Sequence, residues 1–237
     1  GTPAYLSPEQ AFGSELDAAG RLFSGHNGGD TRGFHYVQGA YLQKGFQKHG
    51  ELSNPYAFGY FPQMANNRVE RFTHTFLIYE ADALPERYRG KLFGIEPLQG
   101  RVVLSEITPV ASTFATRDLE HVVTTTDRWF RPVDIKLGPD GAIYVADWHD
   151  FSINHWKNYN GNMDAASGRV WRLKVKGAKL AERFDLAKPN DAQLIELLDH
   201  PNRSWRESAG RELVERGNAE SLPKLAEQVE RTMGDAA

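Results

Sequence analysis

Residues that can move protons or hold ions are concentrated in two short stretches of this 237-residue chain. The first covers residues 26–35 and begins with the sequence His-Asn-Gly-Gly-Asp. The second, FRPVDIKLGPDGAIYVADWHDFSINH at residues 130–155, surrounds a short apolar pattern. Imidazoles suit general-base catalysis near neutral pH, carboxylates suit divalent cations, and guanidinium groups suit anionic oxygens. We therefore treat the two stretches as candidates for one shared site.

Each candidate has a role that its side chain could perform. His26 and His149 are the candidate catalytic bases, because an imidazole can accept a proton from a substrate hydroxyl. The predicted metal ligands, which would offer carboxylate oxygen or imidazole nitrogen to a divalent cation, are Asp147, Asp150 and His155. The residues predicted to contact a cofactor or a sugar are Asn27, Asp30, Arg32, Lys44, Arg131 and Trp148.

Both stretches also have a purely structural interpretation. Asn-Gly-Gly-Asp suits a turn, since Gly and Asn tolerate a left-handed backbone. Asp and His residues at strand ends commonly tie strands together through hydrogen bonds. Lys44 lies among the aromatic residues of a long connecting segment, and these suit either a sugar ring or the packing of the segment itself. The sequence leaves these alternatives open.

A predicted β-hairpin positions the second stretch. The apolar segment VDIKL is followed by a Gly-Pro-Asp-Gly turn at residues 138–141 and then by AIYVA, which indicates two strands joined tightly. The same unit, a turn glycine followed by an apolar strand, recurs at Gly20 and at Gly90. In this alignment His26 corresponds to Asp147, so we expect both stretches to leave their sheets at equivalent ends.

Short β units that recur every several dozen residues are typical of a β-propeller. We predict a mainly β fold over residues 1–177, a partial or completed β-propeller with about three to four recognisable blades, and a long decorated insertion at about residues 31–68. A closed propeller needs about four to eight blades. Either the insertion hides strands or chain from elsewhere completes the ring, and we favour the second explanation.

Residues 190–237 predict a separate, helical unit. Leucines recur at helical spacing from residue 194 onward. Asn190 with Gln193, and Ser204 with Glu207, have the spacing of capping boxes. The unit is therefore predicted to be a HEAT-like helical segment that packs on the propeller or continues in a longer protein.

The composition excludes several classes of function. A formal net charge of −3 and a pI of about 6.3 provide no basic face for nucleic acid. The chain has no cysteine, which rules out disulfides, thiolate ligands and covalently attached haem within it. No apolar run has the length of a transmembrane segment, and the first residues lack the pattern of a signal peptide. Because the chain starts with Gly rather than Met, we expect it to be a piece of a longer protein.

Three segments together carry a resemblance to a known family: NGGDTRGFHYVQGAYLQKGFQKHGELSNPYAFGYF, RPVDIKLGPDGAIYVADW and LLDHPNRSWRESAGRELVERG. In combination they resemble the large family of planctomycete-type membrane-bound dehydrogenases, whose β-propeller is similar to that of the glucose/sorbosone quinoprotein dehydrogenases. In that family HEAT-like helices and a cytochrome c module with a Cys-x-x-Cys-His motif often follow the propeller. This chain lacks the motif and resembles a C-terminal propeller fragment with its helices.

The resemblance implies a quinoprotein-like oxidoreductase that acts on a sugar or an alcohol and passes electrons to a cytochrome. Its cofactors would be pyrroloquinoline quinone and Ca²⁺, its partners a cytochrome c module or the remaining propeller chain, and its location periplasmic or extracellular. Two alternatives remain. One is a non-catalytic propeller platform that binds a glycan or a partner protein, and the other is a metal-dependent propeller hydrolase or lyase.

Overall fold

The structure is a computed structural model that describes residues 14–26, 30–42, 55–60, 62–66, 69–70, 75–151, 166–178 and 185–234. Ten strands precede three α-helices in the described part of the chain. The strands are β1 Ser14–Leu16, β2 Leu22–Ser24, β3 Phe34–Tyr36, β4 Phe76–Ile78, β5 Leu92–Glu96, β6 Arg101–Val110, β7 Thr113–Val123, β8 Pro132–Leu137, β9 Ile143–Asp147 and β10 Arg169–Leu173. The helices are α1 Asp191–Glu196, α2 Arg203–Arg216 and α3 Leu222–Gly234.

The strands form three antiparallel sheets, each made of strands that are consecutive in the chain. The first sheet has the order β1-β2-β3, the second β4-β5-β6-β7 and the third β8-β9-β10. The prediction of a mainly β fold followed by helices is therefore confirmed. Strand β3 lies inside the segment that we predicted as an insertion. It pairs with β2, so this part of the segment is the third strand of the first sheet.

The predicted repeat is present in all three sheets. Gly20, Gly90 and Gly141 each connect the first strand of a sheet to its second strand, and each has a positive φ, of 72°, 69° and 73°. An L-residue with a side chain rarely adopts this backbone conformation, so the turn needs glycine. The same local geometry therefore starts the second strand of every sheet.

Apolar side chains pack on both faces of the second sheet. Along β4, Phe76 and Ile78 join one buried cluster with Phe23 of the first sheet. Leu77, between them, joins the other cluster with Ile135 of the third sheet. This alternation follows from the two-residue period of a strand. The second sheet is thus the middle layer of a stack of three, in which β1 contacts β4 and β4 contacts β8.

The helices begin and end at capping residues. The predicted capping box at α1 is confirmed, since Asn190 accepts a hydrogen bond from the Gln193 N–H and the Gln193 side chain accepts one from the Asn190 N–H. The predicted box of Ser204 with Glu207 is wrong, because α2 begins earlier than that spacing implies and its N-cap is Asn202. None of the helices in the described ranges has the length and hydropathy that crossing a bilayer requires.

The start of α2 joins the helical unit to all three sheets. Arg203 pairs with the buried Glu15 of β1 at 2.6 Å, and Arg206 pairs with Glu80, just after β4, at 2.7 Å. Asn202 donates hydrogen bonds to the carbonyls of residues 138 and 139 in the β8–β9 turn, at 3.0 and 3.1 Å. The helices therefore hold the sheets at the end where the second strands begin.

Candidate functional site

Asp147, the last residue of β9, is the centre of the second stretch. Its Oδ1 accepts the backbone N–H groups of Arg131 and His149, at 2.8 and 2.9 Å. Its Oδ2 accepts the Arg169 Nε–H and the indole N–H of Trp171, both at 2.9 Å. Burial alone would raise the pKa of Asp147, but these hydrogen bonds outweigh it and hold the pKa below its usual value. Asp147 is therefore an ionised anchor for its neighbours.

His149 is held in a specific orientation two residues after β9. Its φ is 56°, a left-handed conformation that costs a non-glycine residue free energy and that the hydrogen bond to Asp147 compensates. Its Nδ1 lies 2.7 Å from the Ser167 Oγ, and its ring lies 5.5 Å from the Trp129 ring, centroid to centroid. When Nδ1–H donates to Ser167, the lone pair of Nε2 is available to accept a proton.

Arg131 precedes β8 on the other side of Asp147. Its Nη1 donates to the Phe130 carbonyl at 2.8 Å and its Nη2 to the Phe151 carbonyl at 2.7 Å. Among the described residues, its buried Nε has no hydrogen-bond partner, and the two acceptors of its guanidinium are carbonyl oxygens rather than carboxylates. Desolvation lowers the pKa of Arg131, although Asp150 and Asp147 oppose that shift. Arg131 is thus a cation that carbonyl oxygens hold in place.

An arginine occupies the same position in the second and third sheets. Arg101 opens β6 opposite Glu96, and Arg169 opens β10 opposite Asp147. Each arginine also pairs with a carboxylate from the connection before its sheet. Arg101 reaches Glu70 at 3.4 Å, and Arg169 reaches Asp127 at 2.7 Å. The carboxylate at the end of the second strand is therefore part of a repeated structural motif.

Arg32 of the first stretch takes the equivalent position in the first sheet. Continuing the pairing of β2 with β3 by two residues places Arg32 opposite His26, where the other sheets have a carboxylate. Arg32 is 1% exposed and pairs instead with Glu96 of the second sheet, at 2.7 Å, and with Asp118. A guanidinium that two carboxylates bind in the interior holds two sheets together, and the predicted contact of Arg32 with a cofactor stays a prediction.

The two stretches lie at the same end of the three sheets. Arg32 contacts Glu96 at the end of β5, and the following turn brings Gly100 against Arg131. A Cβ added at Gly100 would lie 3.0 Å from the Phe130 carbonyl oxygen and 3.6 Å from the Arg131 Nη1. The β5–β6 turn therefore connects the first stretch to the second, as the aligned repeats predict.

The predicted site residues differ in where the structure places them. Asp30, at φ 69°, is exposed at a corner, and His26 packs edge-on against Phe34 at 5.2 Å. Trp148 is 51% exposed, and Asp150 acts electrostatically on Arg131. We call the region around Asp147 that contains Arg131, His149, Asp150 and Arg169 the Asp147 corner. Three of the predicted residues lie outside the described ranges: Asn27, Lys44 and His155.

The described residues do not fit the predicted cofactors on their own. Pyrroloquinoline quinone is a polyanion, and Arg32 is neutralised by two carboxylates, whereas Arg131 has one nitrogen, Nε, that no described residue binds. A Ca²⁺ ion at Asp147 would have to displace the four N–H groups that bind its oxygens. Within the described part of the chain, no group of three His, Asp or Glu side chains could hold a metal ion. The predicted metal and cofactor roles stay predictions.

Sequence reasoning missed several residues of this corner. Asp127, Arg128 and Trp129 precede β8, and Ser167 and Arg169 follow a connection that ends at β10. The repeat contained a signal for Arg169, because Arg101 and Arg169 each open the third strand of their sheet, opposite the last residue of the second strand. No sequence signal pointed to Ser167, whose role depends on the path of the connection after residue 151.

The comparisons with known proteins include a family model and a solved structure. The solved structure is that of a "putative oxidoreductase (glucose dehydrogenase)" from Thermus thermophilus, with a TM-score of 0.40 and 17% sequence identity. The similar region covers 68% of this chain and 44% of that one, so the chain spans less than half the length of that protein. No curated protein matches the chain. Residues 3–177, which are most of the chain, match the Domain of unknown function (DUF7133), and the chain therefore belongs to that family.

Proposed function

We propose that the protein containing this chain is an oxidoreductase that acts on a sugar or an alcohol, and that the Asp147 corner is the substrate side of its site. The observation that supports the proposal is that Asp147 Oδ1 binds the backbone of both His149 and Arg131. One buried carboxylate thus fixes the backbone of a candidate base and the backbone of a candidate cation. A rigid strand end is a suitable scaffold for such a pair.

The proposed roles follow from the hydrogen bonds of the two side chains. Oxidation of an alcohol removes the hydroxyl proton and the hydrogen on the adjacent carbon with two electrons. His149 would take the hydroxyl proton at Nε2, because Ser167 occupies Nδ1. Arg131 would stabilise the developing negative charge on the oxygen, because carbonyls rather than carboxylates hold its guanidinium.

The architecture of the proposed enzyme is a β-propeller. Three consecutive meander sheets stack face to face, and their first strands contact one another in chain order, as expected for adjacent blades around an axis. The remaining blades would come from chain outside this sequence. The quinone, the Ca²⁺, the cytochrome and the periplasmic or extracellular location are further parts of the proposal, which the family resemblance suggests.

Dye-linked oxidation assays on the intact protein test the proposal. The protein would be supplied with pyrroloquinoline quinone and Ca²⁺ and offered a panel of sugars and alcohols. We expect turnover with at least one of them. In His149→Gln, which keeps a side chain of similar size but cannot act as the base, we expect kcat to fall about 10²–10⁴-fold with little change in KM.

A matched control separates catalysis from folding. His200 lies at the opposite end of the sheets, where it stacks on Trp205 at 5.2 Å, so His200→Gln should leave kcat unchanged. Absence of bound quinone together with absence of turnover in the intact wild-type protein would refute the proposal. Equal kcat values for His149→Gln and the wild type would refute the role of His149.

A further inference from the structure

Four large aromatic side chains of the described residues are exposed around the Asp147 corner. Their exposed fractions are 40% for Trp129, 51% for Trp148, 44% for Phe151 and 45% for Trp171. Exposing so much aromatic surface is unfavourable, so clusters of this kind commonly mark binding sites. The described helices show isolated exposed apolar residues such as Val214, and nothing there gathers several aromatic rings.

Three of the four aromatic rings are held by contacts within the corner. The Trp129 backbone N–H binds Asp127 at 2.9 Å, and the Trp129 ring lies 6.0 Å from the Phe151 ring, centroid to centroid. The Arg128 guanidinium lies over Phe151 at 5.3 Å. The indole N–H of Trp171 binds the buried Asp147. Rings that are fixed in this way lose little conformational entropy when a ligand stacks on them.

The connection that carries Trp148 and Phe151 is longer than the equivalent connection of the second sheet. In the second sheet, residues 97–100 form a tight turn between Glu96 and Arg101. In the third sheet, residues 148–168 connect the equivalent positions, Asp147 and Arg169. A longer connection is not needed to close the motif, because a short turn suffices in the neighbouring sheet. Long connections at strand ends usually carry binding residues.

The charges of the corner favour a neutral ligand. Its cations are Arg128, Arg131 and Arg169, and its anions are Asp127, Asp147 and Asp150. Arg169 pairs with two of the aspartates at 2.7 Å. Because the positive and negative charges of these described residues balance, they create no net field that would attract a polyanion or a polycation. Aromatic faces bordered by hydrogen-bonding groups suit sugar rings, which present both C–H surfaces and hydroxyl groups.

We infer that the surface formed by Trp129 and Phe151, together with the exposed Trp148 at the same strand end, binds a neutral oligosaccharide, with one sugar residue next to His149. Several exposed rings offer stacking positions for more than one sugar, so a chain of sugars should bind more tightly than a monosaccharide. This binding requires neither a quinone nor a metal ion. It therefore stands independently of the proposed oxidation, although it would supply the substrate class for that reaction.

Titration of the intact protein with three probes tests this inference. The probes are the neutral hexasaccharides cellohexaose and maltohexaose and the acidic hexamer of galacturonic acid, and calorimetry would measure binding to the wild type without added cofactor. We expect at least one neutral hexasaccharide to bind, and to bind at least about tenfold more tightly than glucose. Binding of the acidic hexamer alone, binding of no probe, or equal binding of glucose would overturn the inference.

Variants locate the binding surface. We expect Trp129→Ala and Trp148→Ala each to weaken binding of the neutral hexasaccharide about five- to tenfold, and Trp148→Phe to restore most of the loss at that position. Phe58→Ala is the control, because Phe58 is 79% exposed and lies before the second sheet. Thermal unfolding would verify that every variant is folded. Loss of binding in Phe58→Ala with no loss in the two tryptophan variants would place the glycan elsewhere and refute the inference.

Discussion

Replacing Asp147 by Asn tests whether this carboxylate is a structural anchor. The substitution keeps the size of the side chain but converts one of its two oxygens into an amide group that donates hydrogen bonds. All the described partners of Asp147 are donors: two backbone N–H groups at Oδ1, and Arg169 and Trp171 at Oδ2. Whichever way the amide turns, two donors lose their acceptor.

The expected loss of stability follows from these contacts. A hydrogen bond that involves a charged group contributes about 1.5–3 kcal/mol, and Asn removes two of them together with the charge. The loss is smaller than the full sum, because Arg169 is partly exposed and keeps its ion pair with Asp127. We expect the free energy of unfolding to fall by about 2–4 kcal/mol, which lowers Tm by about 5–15 °C.

Chemical and thermal unfolding of the wild type and of two variants would measure this loss. Asp140→Asn is the matched control, because Asp140 lies before β9, at the opposite end from Asp147. It accepts hydrogen bonds from the Ala142 N–H at 3.1 Å and the Tyr144 hydroxyl at 3.0 Å, and it forms a partly exposed ion pair with Arg172 at 3.4 Å. Asn can keep the first of these bonds, so we expect a loss of about 1 kcal/mol or less there.

Two results would refute the reasoning about Asp147. The first is a loss in Asp147→Asn no larger than that in Asp140→Asn, which would mean that the four contacts contribute little. The second is a loss that is present with added Ca²⁺ and disappears with a chelator, because the carboxylate would then stabilise the fold through a cation. A structural anchor gives the same loss under both conditions.

Two further predictions concern other buried positions. Burial raises the pKa of Glu15 from 4.5 to about 7 and outweighs the attraction of Arg203. The folded state therefore favours protonated Glu15, and the free energy of unfolding should fall by up to about 3 kcal/mol as the pH rises from about 4.5 to 7. Urea unfolding at both pH values should show a smaller change in Glu15→Gln, and a change equal to that of the wild type would contradict this prediction. Gly33 has φ 150°, and an added Cβ would lie 1.9 Å from the Ser24 carbonyl oxygen, so Gly33→Ala should lower the free energy of unfolding by more than about 3 kcal/mol. Gly39 has φ 76° and no atom within 4 Å of an added Cβ, so Gly39→Ala should lower it by about 1 kcal/mol. Equal losses of Tm in thermal unfolding would show that the contact with β2 is relieved easily.

The order of elements could be predicted well from the sequence, because local signals determine it. Gly20, Gly90 and Gly141 mark the same turn in every sheet, since only glycine adopts a positive φ there without strain. Strand β3 was missed because it contains only Phe34–Tyr36 and follows a glycine-rich corner. The start of α2 was misplaced because Ser204 and Glu207 have capping-box spacing, while Asn202 also contacts the β8–β9 turn. A tertiary contact of that kind leaves no local pattern.

The candidate site could be predicted only in part, because the roles of its charged residues depend on distant partners. The alignment of His26 with Asp147 placed both stretches at the same end of the sheets, and the structure agrees. The sequence predicted that Arg32 contacts a cofactor, which stays a prediction, but it did not predict the ion pairs of Arg32. Its partners, Glu96 and Asp118, are far away in the sequence, and no local sequence pattern around Arg32 predicts them.

The repeat also separates the residues that hold the fold from those that can change to bind a ligand. The carboxylate–arginine pair occurs at the end of the second sheet as Glu96 with Arg101 and at the end of the third as Asp147 with Arg169. Because the second sheet forms this pair with a tight turn alone, the pair itself requires no longer connection. What the third sheet adds, Trp148 and His149 among them, therefore has no counterpart in the structural motif. The ion pair of Asp147 with Arg169 holds the strand ends rigidly, and the connection between these two residues is longer than that pair requires. Residues of the connection can therefore change, and alter a binding surface, without loss of the fold.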